Sequence, residues 1–400
     1  MSDAILVLNA GSSTIKFGLF DVTASGPQLL CKGLLDEHDA EPRLTIKDTD
    51  GQLLFDKHQP KHGDETGLLD DILTWVDGYL ASDELLAIGH RIVHGGQDFV
   101  APVVIDDEVI EALHALTPLA PLHQPRSLSP IRPIMMLRPE LPQIACFDTA
   151  FHHDLAPLAR RFAIPRRFDE MGIRRYGFHG LSYQFIAGRL AELSLASKRT
   201  VVAHLGSGSS LCAMRDGASI DTTMGLTALD GLMMATRCGA IDPGVLLYLQ
   251  QVHGISADEL EQMLYNESGL LGVSGLSADM RVLVVSEEPD AIEAVDMFVD
   301  RVAKEIAAMA TSLGGIECLV FTGGIGEHSH QIRERIAARL RWLGVEIDRA
   351  ANEAGLQDIA AKRSKVEVMI LPTSEETSIA RDCLAALALR WQEIQPPATI

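Results

Sequence analysis

One pattern occurs twice in this sequence and limits the folds open to it. An apolar run, a turn of small residues and a second apolar run follow one another at 4–22 and again at 200–214. Each copy predicts a β-hairpin. A single hydrophobic core stops growing near roughly 250–300 residues, and the chain has 400 residues. We therefore expect two domains, the second built on a copy of the first unit.

Helices and strands alternate after the first hairpin. Apolar residues recur at helical spacing over 64–80, a strand-like run covers 85–93, a helix is expected at 106–116 and a buried strand at 143–148. This order predicts a sheet with helices packed on it. Five prolines within 122–142 leave room only for short helices there.

The second half shows the same alternation. The arginine-rich stretch 150–180 is interpreted as an ordered passage between the domains. Strands are predicted beyond it at 200–205, 209–214, 317–322 and 366–371, and helices at 243–252, 256–266, 290–313, 328–343 and 375–391. No short-period repeat occurs, which excludes a solenoid.

Charge and cysteine usage narrow the function classes. The chain carries 34 Lys and Arg against 55 Asp and Glu, a net charge of −21, so its field repels nucleic acid and anionic membrane surfaces. The six cysteines form no CxxC pair, which favours a reduced, cytoplasmic setting. The N-terminus has no basic region typical of a signal peptide, and no apolar stretch reaches a membrane span. An anionic substrate would need a local cluster of cations.

Three strand-ending loops are rich in small residues: NAGSSTIK at 9–16, HLGSGS at 204–209 and TGGIGE at 322–327. Small side chains let backbone N–H groups approach a phosphate closely. One such loop alone is more often an ordinary turn, whereas three together favour phosphate binding. None matches GxxxxGK[ST] or GxGxxG, so a Walker or Rossmann site is not expected.

Lys16, Arg91 and Arg237 form the expected set of cations. Each arginine lies beside glycine in an apolar run, where a solvated arginine is unusual. Such arginines hold carboxylates or phosphates. The alternative is an internal ion pair with Asp or Glu.

Acidic and histidine side chains supply further candidates. Asp148 ends an apolar strand, where ligands gather in open α/β sheets. His179 could donate to developing charge or be structural. Glu375 begins the last helix, and either a Mg²⁺ role or interaction with the helix dipole explains it. His90 and His94 lack the Glu of HExxH, so buried structural roles are favoured.

Ten motifs follow one another from residue 5 to about 385: NAGSSTIK, HRIVHGG, PLHQP, FDTAFH, RYGFHGLS, AHLGSGSS, TTMGLTALDGLMMATRCG, ADMR, FTGGIGEHS and PTSEETSIARD. Taken together, they resemble the acetate kinase family of acetate and propionate kinases. The resemblance implies an α/β, duplicated two-domain actin/Hsp70/sugar-kinase-like fold with an interdomain cleft. It implies a first domain of 1–150 plus a returning helix at about 383–400. The second domain, 151–382, would hold the nucleotide site and the interface of a homodimer.

The resemblance also assigns roles by position. It makes Asp148, His179 and Arg237 catalytic, and Asn9 and Glu375 ligands of Mg²⁺ or Mn²⁺. The substrate-binding set it implies is Arg91, Val93, Leu122, Phe178 and Ala228, with Val93, Leu122 and Phe178 lining the acyl pocket. The ATP/ADP-binding set it implies is Ser12, Thr14, Lys16, His204, Leu205, Gly206, Ser207, Gly208, Asp279, Met280, Arg281, Gly323, Gly324, Ile325, Gly326 and Glu327.

The sequence departs from the family pattern at a few positions. Ser207 and Gln124 stand where Asn is usual, Ala228 where Pro is usual, Asp230 where Glu is usual and Ala240 where Asp is usual. Ser207 affects one phosphate contact. Ala228 faces the acyl pocket in the family, so a preference for acetate over propionate does not follow.

The resulting hypothesis is a cytoplasmic kinase that transfers the γ-phosphoryl group of ATP to acetate or propionate, reversibly. Its partners would be the small carboxylate and the nucleotide, not nucleic acid or membrane. Two alternatives stay open: a sugar kinase of the same fold, with Asp148 as base, and an actin- or Hsp70-like ATP switch. Two arginines argue against a neutral acceptor, and 400 residues leave no appended segment for a switch.

Overall fold

The computed structural model describes residues 3–11, 14–36, 42–58 and 65–394. The described residues form two compact units. The first contains the chain up to Ala150 and the segment from Ser374 onward, and the second is Phe151–Thr373. Each unit is α/β with one sheet.

The first unit contains an eight-stranded sheet of order β5-β4-β3-β2-β1-β6-β8-β7. The strands are β1 (Asp3–Ala10), β2 (Thr14–Thr23), β3 (Gly26–Asp36), β4 (Arg43–Asp48), β5 (Leu53–His58), β6 (Glu84–Ile92), β7 (Val103–Val104) and β8 (Gln143–Phe147). β1 and β2 form the predicted hairpin. β1, β6 and β8 run parallel.

Among its described residues the first unit has five helices: α1 (Glu65–Leu80), α2 (Asp107–Ala115), α3 (Gln124–Leu128), α4 (Ile131–Leu137) and the terminal α16 (Glu375–Ile394). The predicted helices near 64–80 and 106–116 are confirmed. Asp106 caps α2 by accepting from the Val109 N–H. The proline-rich stretch holds α3 and α4, both short, as their prolines require.

The second unit contains a five-stranded sheet of order β11-β10-β9-β12-β13. The strands are β9 (Thr200–Leu205), β10 (Ser209–Arg215), β11 (Ala218–Thr222), β12 (Cys318–Thr322) and β13 (Glu367–Ile370). Antiparallel β11-β10-β9 joins parallel β9-β12-β13. The order and sense match β3-β2-β1-β6-β8, so the predicted duplication is confirmed.

Eleven helices complete the second unit: α5 (Pro157–Arg160), α6 (Arg167–Glu170), α7 (Gly180–Glu192), α8 (Pro243–His253), α9 (Ala257–Asn266), α10 (Gly269–Ser274), α11 (Met280–Leu283), α12 (Pro289–Leu313), α13 (Gly323–His328), α14 (His330–Arg339) and α15 (Arg349–Glu353). The 25-residue α12 buries one apolar face against the sheet and anchors the core.

Three predicted boundaries are wrong. Residues 322–327, expected as a loop, enter α13, because the Glu327 carboxylate accepts from the Gly323 N–H and closes the first turn. The helix expected over 328–343 is α14, and a 3₁₀ turn follows it. The first unit resumes at Ser374 rather than about 383, because α16 packs on β1 and β6 throughout. Residues 395–400 of the expected return lie outside the described residues.

No helix in the described part of the chain combines the length and apolar character that a membrane crossing needs.

Candidate active site

Three parallel strands end together in the first unit, and each contributes one polar side chain. Asn9 lies near the end of β1, Arg91 near the end of β6, and Asp148 directly after β8. Leu8 pairs with His90, Arg91 pairs with Cys146, and the Asp148 N–H donates to the Ile92 carbonyl at 3.0 Å. The register therefore brings these three groups to the carboxyl edge of the sheet, where open α/β sheets bind ligands.

The Arg91 guanidinium binds its neighbours through three N–H groups. Its Nε donates to Asp148 Oδ2 at 3.1 Å, Nη2 donates to the same oxygen, and Nη1 donates to Asn9 Oδ1 at 3.2 Å. Glu375 Oε2 lies 3.7 Å from Nε. An arginine has five N–H groups, so two remain for a ligand. The internal ion pair considered from sequence exists, and it leaves Arg91 able to bind an anion.

The neighbouring carboxylates keep the Arg91 guanidinium positively charged. Burial would lower the pKa of Arg91, but the carboxylates of Asp148 and Glu375 outweigh it and raise that pKa above its ordinary value. The Asp148 side chain is 1% exposed and that of Arg91 is 22% exposed. One guanidinium thus faces two carboxylates, and the cluster retains negative charge that suits a cation.

The turn between β1 and β2 is held by its own backbone and by one arginine. The Gly11 N–H donates to the Thr14 carbonyl at 2.7 Å, and Arg126 Nε donates to the Gly11 carbonyl at 2.9 Å. Lys16 is exposed and pairs with Asn9 across the hairpin, so both side chains share one face. The predicted phosphate contact at Ser12 lies outside the described residues.

The first unit also holds two residues predicted to line the acyl pocket. Val93 is buried, and Leu122 is 46% exposed in the turn before α3. Gln124, fully buried, accepts from the His94 N–H and donates to the His94 carbonyl, both at 3.0 Å. The longer Gln side chain at this position therefore braces the segment next to Val93.

His90 and His94 are buried, as predicted, and are held by neighbours in the first unit. His90 Nε2 lies 2.7 Å from Gln143 Oε1, and burial lowers the pKa of His90 to about 4. His94 Nδ1 accepts from the Gly96 N–H at 2.9 Å.

In the second unit, the turn between β9 and β10 brings two predicted catalytic residues together. A β-carbon built on Gly208 would lie 2.9 Å from Arg237 Nη2 and 3.1 Å from His179 Nε2. The two side chains therefore converge on one glycine whose lack of a side chain makes the space. The turn closes through the Gly206 N–H, which donates to the Gly208 carbonyl at 3.0 Å.

His179 is positioned by several elements. It precedes α7 in the left-handed backbone region at φ 58°, which is uncommon for a non-glycine residue. Its ring stacks on His204 with 4.3 Å between centroids, and its Nδ1 lies 2.8 Å from Ser210 Oγ. His204 Nδ1 in turn lies 2.9 Å from Ser182 Oγ. Left-handed backbone at a site of this kind marks a functional constraint.

Arg237 is oriented by backbone. Its Nη1 donates to the Ala228 carbonyl at 2.7 Å. Ala228 thus contacts the predicted catalytic arginine through its carbonyl, a role that any residue type, including the family's usual proline, can fill. Phe178, predicted to line the acyl pocket, is buried, and its carbonyl lies 3.1 Å from His152 Nε2.

A pocket of about 640 Å³ in the second unit collects many residues predicted to bind nucleotide. The predicted residues in its lining are Gly206, Ser207, Asp279, Met280, Arg281, Gly324 and Ile325. Asp279 caps α11 and pairs with Arg281, whose hydrogen bonds lower the pKa of that carboxyl. The pocket therefore joins three segments that are far apart in sequence.

Six predicted nucleotide-binding residues of the second unit do not line this pocket: His204, Leu205, Gly208, Gly323, Gly326 and Glu327. Glu327 Oε1 instead accepts from the Gly323 N–H and, at 3.2 Å, from the Thr373 N–H. Gly323, at φ +76°, would place a β-carbon 2.8 Å from the Leu205 carbonyl, so a side chain is barred there.

Several site residues escaped sequence reasoning. Ser210 and Tyr183 support His179, and Arg333, fully buried, donates to the Gly326 and Glu327 carbonyls at the end of α13. His328 and Gln331 also line the pocket. For Arg333, the signal in the sequence was that an arginine stands within the helical pattern predicted over 328–343. Ser210 had no signal beyond its place after a glycine-rich turn.

The comparisons with known proteins agree on one family. The model of the Acetokinase family matches residues 4–381. This chain belongs to the acetate kinase family. An acetate kinase of Rhodopseudomonas palustris is 49% identical over 95% of this chain and 98% of its own length. One of Methylocella silvestris is 46% identical over 97% of this chain and 98% of its own length.

Solved structures of the acetate kinase family share the fold. A propionate kinase from Francisella tularensis superimposes with a TM-score of 0.88 at 37% identity, covering 95% of this chain and 98% of its own. The acetate kinase of Porphyromonas gingivalis gives 0.85 at 35% identity, covering 96% of this chain and 100% of its own. This family member is therefore a phosphotransferase with a carboxyl group as acceptor, and neither alternative function is favoured.

The family's implied Mg²⁺ or Mn²⁺ can be tested against the donor set. Asn9, Asp148 and Glu375 offer amide and carboxylate oxygens around Arg91 in the first unit, and such hard oxygens suit Mg²⁺. Magnesium at phosphate sites is commonly held by one or two carboxylates plus phosphate oxygens. The residues present fit that chemistry.

Proposed function

We propose that this chain transfers the γ-phosphoryl group of ATP to acetate or propionate, reversibly, giving an acyl phosphate and ADP. One observation carries the assignment of residues: the turn at 206–208 faces the 640 Å³ pocket at Ser207 and meets Arg237 and His179 at Gly208. A nucleotide bound in that pocket would have its phosphates beside an arginine and a histidine. Cations aimed at developing charge are what phosphoryl transfer requires.

The acceptor dictates the rest of the chemistry. A short-chain carboxylate is ionised at neutral pH, so it attacks without losing a proton. The difficulty is the approach of two anions. We assign the two remaining N–H groups of Arg91 to the acceptor. We assign Arg237 and His179 Nε2, which converge on Gly208, to the charge of the transferred group. Charge stabilisation and positioning therefore supply the catalysis.

The carboxylates of the first unit have a different task. Asp148 fixes Arg91, and Asn9 and Glu375 would hold Mg²⁺ or Mn²⁺. When bound with ATP, the metal ion neutralises charge on the β- and γ-phosphates. Lys16 and Thr14, with Ser12, would bind phosphate oxygens beside Asn9. Val93, Leu122, Phe178 and Ala228 would line the acyl pocket.

The nucleotide assignment rests on the pocket. Its lining supplies small residues at Gly206, Ser207 and Gly324 and apolar surface at Met280 and Ile325. Apolar walls with a few polar groups suit a purine and its ribose. Asp279 and Arg281 stand at the pocket's rim, where Arg281 is exposed.

We also propose a homodimer formed through the second unit. The eleven-residue α8 buries none of its residues, although Leu247, Tyr248 and Val252 are each more than half exposed. An exposed apolar helix face of this kind marks an interface. Light scattering should give twice the chain mass for the wild type. Leu247→Glu should give monomer, and Leu158→Glu, at a residue 96% exposed on α5, should not. A wild-type monomer would refute the dimer.

The reaction is tested by ATP-dependent formation of hydroxamate from hydroxylamine and acetate, propionate or butyrate. Only a maker of acyl phosphate yields hydroxamate, so a sugar kinase or an ATP switch gives none. We infer a cytoplasmic location from the six cysteines, all of them free thiols. Fractionation of the source cells checks that inference.

A further inference from the structure

His179 is supported by two hydroxyl groups. Ser210 Oγ lies 2.8 Å from His179 Nδ1 and 2.6 Å from Tyr183 Oη. Tyr183 and Ser210 are both buried in the second unit, Tyr183 on α7 and Ser210 on β10. Three groups therefore form one chain of hydrogen bonds that ends on the imidazole.

Which group donates in each of these hydrogen bonds follows from the number of partners that each hydroxyl has. Among the described residues, Ser210 Oγ is the one hydrogen-bond partner of Tyr183 Oη, and Ser210 Oγ contacts only Tyr183 and His179 through its hydroxyl. A buried hydroxyl proton left unbonded costs free energy. Burial raises the pKa of Tyr183 well above its ordinary value, so the phenol keeps its proton. Tyr183 must then donate to Ser210, and Ser210 must donate to His179.

We propose that Tyr183 and Ser210 hold the neutral His179 imidazole in the tautomer protonated at Nε2. A neutral imidazole whose Nδ1 accepts a hydrogen bond carries its proton on Nε2. That nitrogen lies beside Gly208 and Arg237. Ser210 is thus a positioning residue that makes His179 a hydrogen-bond donor toward the transferred phosphoryl group. This inference rests on the proposed function of His179.

The same unit offers a matched control. His152 Nδ1 lies 2.7 Å from Ser219 Oγ, and its Nε2 lies 3.1 Å from the Phe178 carbonyl. Ser219→Ala therefore removes one buried serine–histidine hydrogen bond, as Ser210→Ala does, but from a different ring. A general loss of buried polar contacts would affect both variants alike.

The decisive measurement is the tautomer itself, read from the ¹⁵N chemical shifts of uniformly ¹⁵N-histidine-labelled protein. The His179 signals are assigned by their absence in His179→Gln. The wild type should show Nε2 protonated and Nδ1 unprotonated. Ser210→Ala should populate the Nδ1-protonated form, whereas Ser219→Ala should leave the His179 signals unchanged.

Kinetics supply the second measurement. Ser210→Ala should lower kcat by about 10- to 100-fold with less than about threefold change in either KM, because the donor acts on the transition state. Tyr183→Phe should lower kcat by less, since Ser210 keeps its own proton for Nδ1. The double variant Tyr183→Phe/Ser210→Ala leaves no unbonded tyrosine hydroxyl and preserves the test if Ser210→Ala folds poorly.

The tautomer and the kcat of Ser210→Ala test the role of Ser210, and the hydroxamate assay tests the proposed function. A wild-type His179 protonated at Nδ1, or a Ser210→Ala variant with wild-type kcat and tautomer, overturns the inference. A wild type that makes no acyl hydroxamate yet shows the expected tautomer overturns the proposed function and leaves the tautomer assignment standing.

Discussion

Replacing Gly208 by alanine is a direct test of how closely Arg237 and His179 must be placed. The new methyl carbon would lie 2.9 Å from Arg237 Nη2 and 3.1 Å from His179 Nε2, against about 3.4 Å for an ordinary contact. Arg237 must therefore retreat by about 0.5 Å and His179 by about 0.3 Å. A misplacement of about 1 Å costs roughly 100-fold in rate.

Scaled to these shifts, we expect Gly208→Ala to lower kcat by about 10- to 100-fold, or about 1.4–2.7 kcal/mol of transition-state stabilisation. Stability should change by less than about 1 kcal/mol, because the atoms that must move are the ends of side chains and alanine restricts the unfolded chain. Hydroxamate formation measures kcat, and thermal unfolding measures stability.

Gly78→Ala is the control for this experiment. Gly78 lies within α1, and nothing stands within 4 Å of a β-carbon built there. This variant should keep wild-type kcat and gain roughly 0.5–1 kcal/mol of stability. If Gly208→Ala stays within twofold of the wild-type kcat, the positions of Arg237 and His179 do not limit the reaction. If Gly208→Ala unfolds at a temperature many degrees below that of the wild type, more than the ends of the Arg237 and His179 side chains must move to accommodate the methyl group.

The remaining predictions concern the two arginines, the metal, the acyl group and pH. Arg91→Ala and Arg237→Ala should each lower kcat by roughly 10²–10⁴, with poor rescue by lysine; near-normal turnover would make that arginine purely structural. Glu375→Ala should chiefly raise the Mg²⁺ concentration needed for half-maximal rate, whereas Asp148→Asn should lower kcat even at saturating Mg²⁺; a Mg²⁺ titration of both separates these roles. Propionate should be used within about tenfold of acetate in kcat/KM, because Ala228 replaces proline; a hundredfold acetate preference, or an unchanged ratio in Ala228→Pro, would remove position 228 from specificity. Burial lowers the pKa of His90 and of His152 to about 4. As the pH falls below about 6.5, both histidines are therefore protonated in the unfolded chain before they are protonated in the folded protein. The free energy of unfolding should therefore drop between pH 6.5 and 4, by up to roughly 3 kcal/mol per histidine; denaturant midpoints across that range, compared with those of His152→Gln, measure it.

Local patterns were sufficient where a segment's own residues decide its conformation. The two hairpins, α1, α2, α12 and the parallel strands follow from apolar periodicity and small-residue turns, since these report which face is buried. The family motifs added the roles. The strands β3, β4 and β5 received no prediction, and Gly33 shows why. A glycine suggests a turn, but here it lies in β3 beneath the ring of Phe17, where a β-carbon would fall 1.9 Å from that ring.

Tertiary structure alone decided the partners of the site residues. Arg91 and Asp148 are 57 residues apart and meet because β6 and β8 pair in one register. Tyr183 and Ser210 are 27 residues apart and meet because α7 packs on β10. A one-residue change of register would turn the Arg91 side chain on β6, or the Ser210 side chain on β10, to the other face of its sheet. The sequence by itself thus determined which residue types carry the chemistry and on which elements they stand. Which oxygen each nitrogen binds depends on strand register and helix packing, which arise from contacts between distant segments and leave no local pattern.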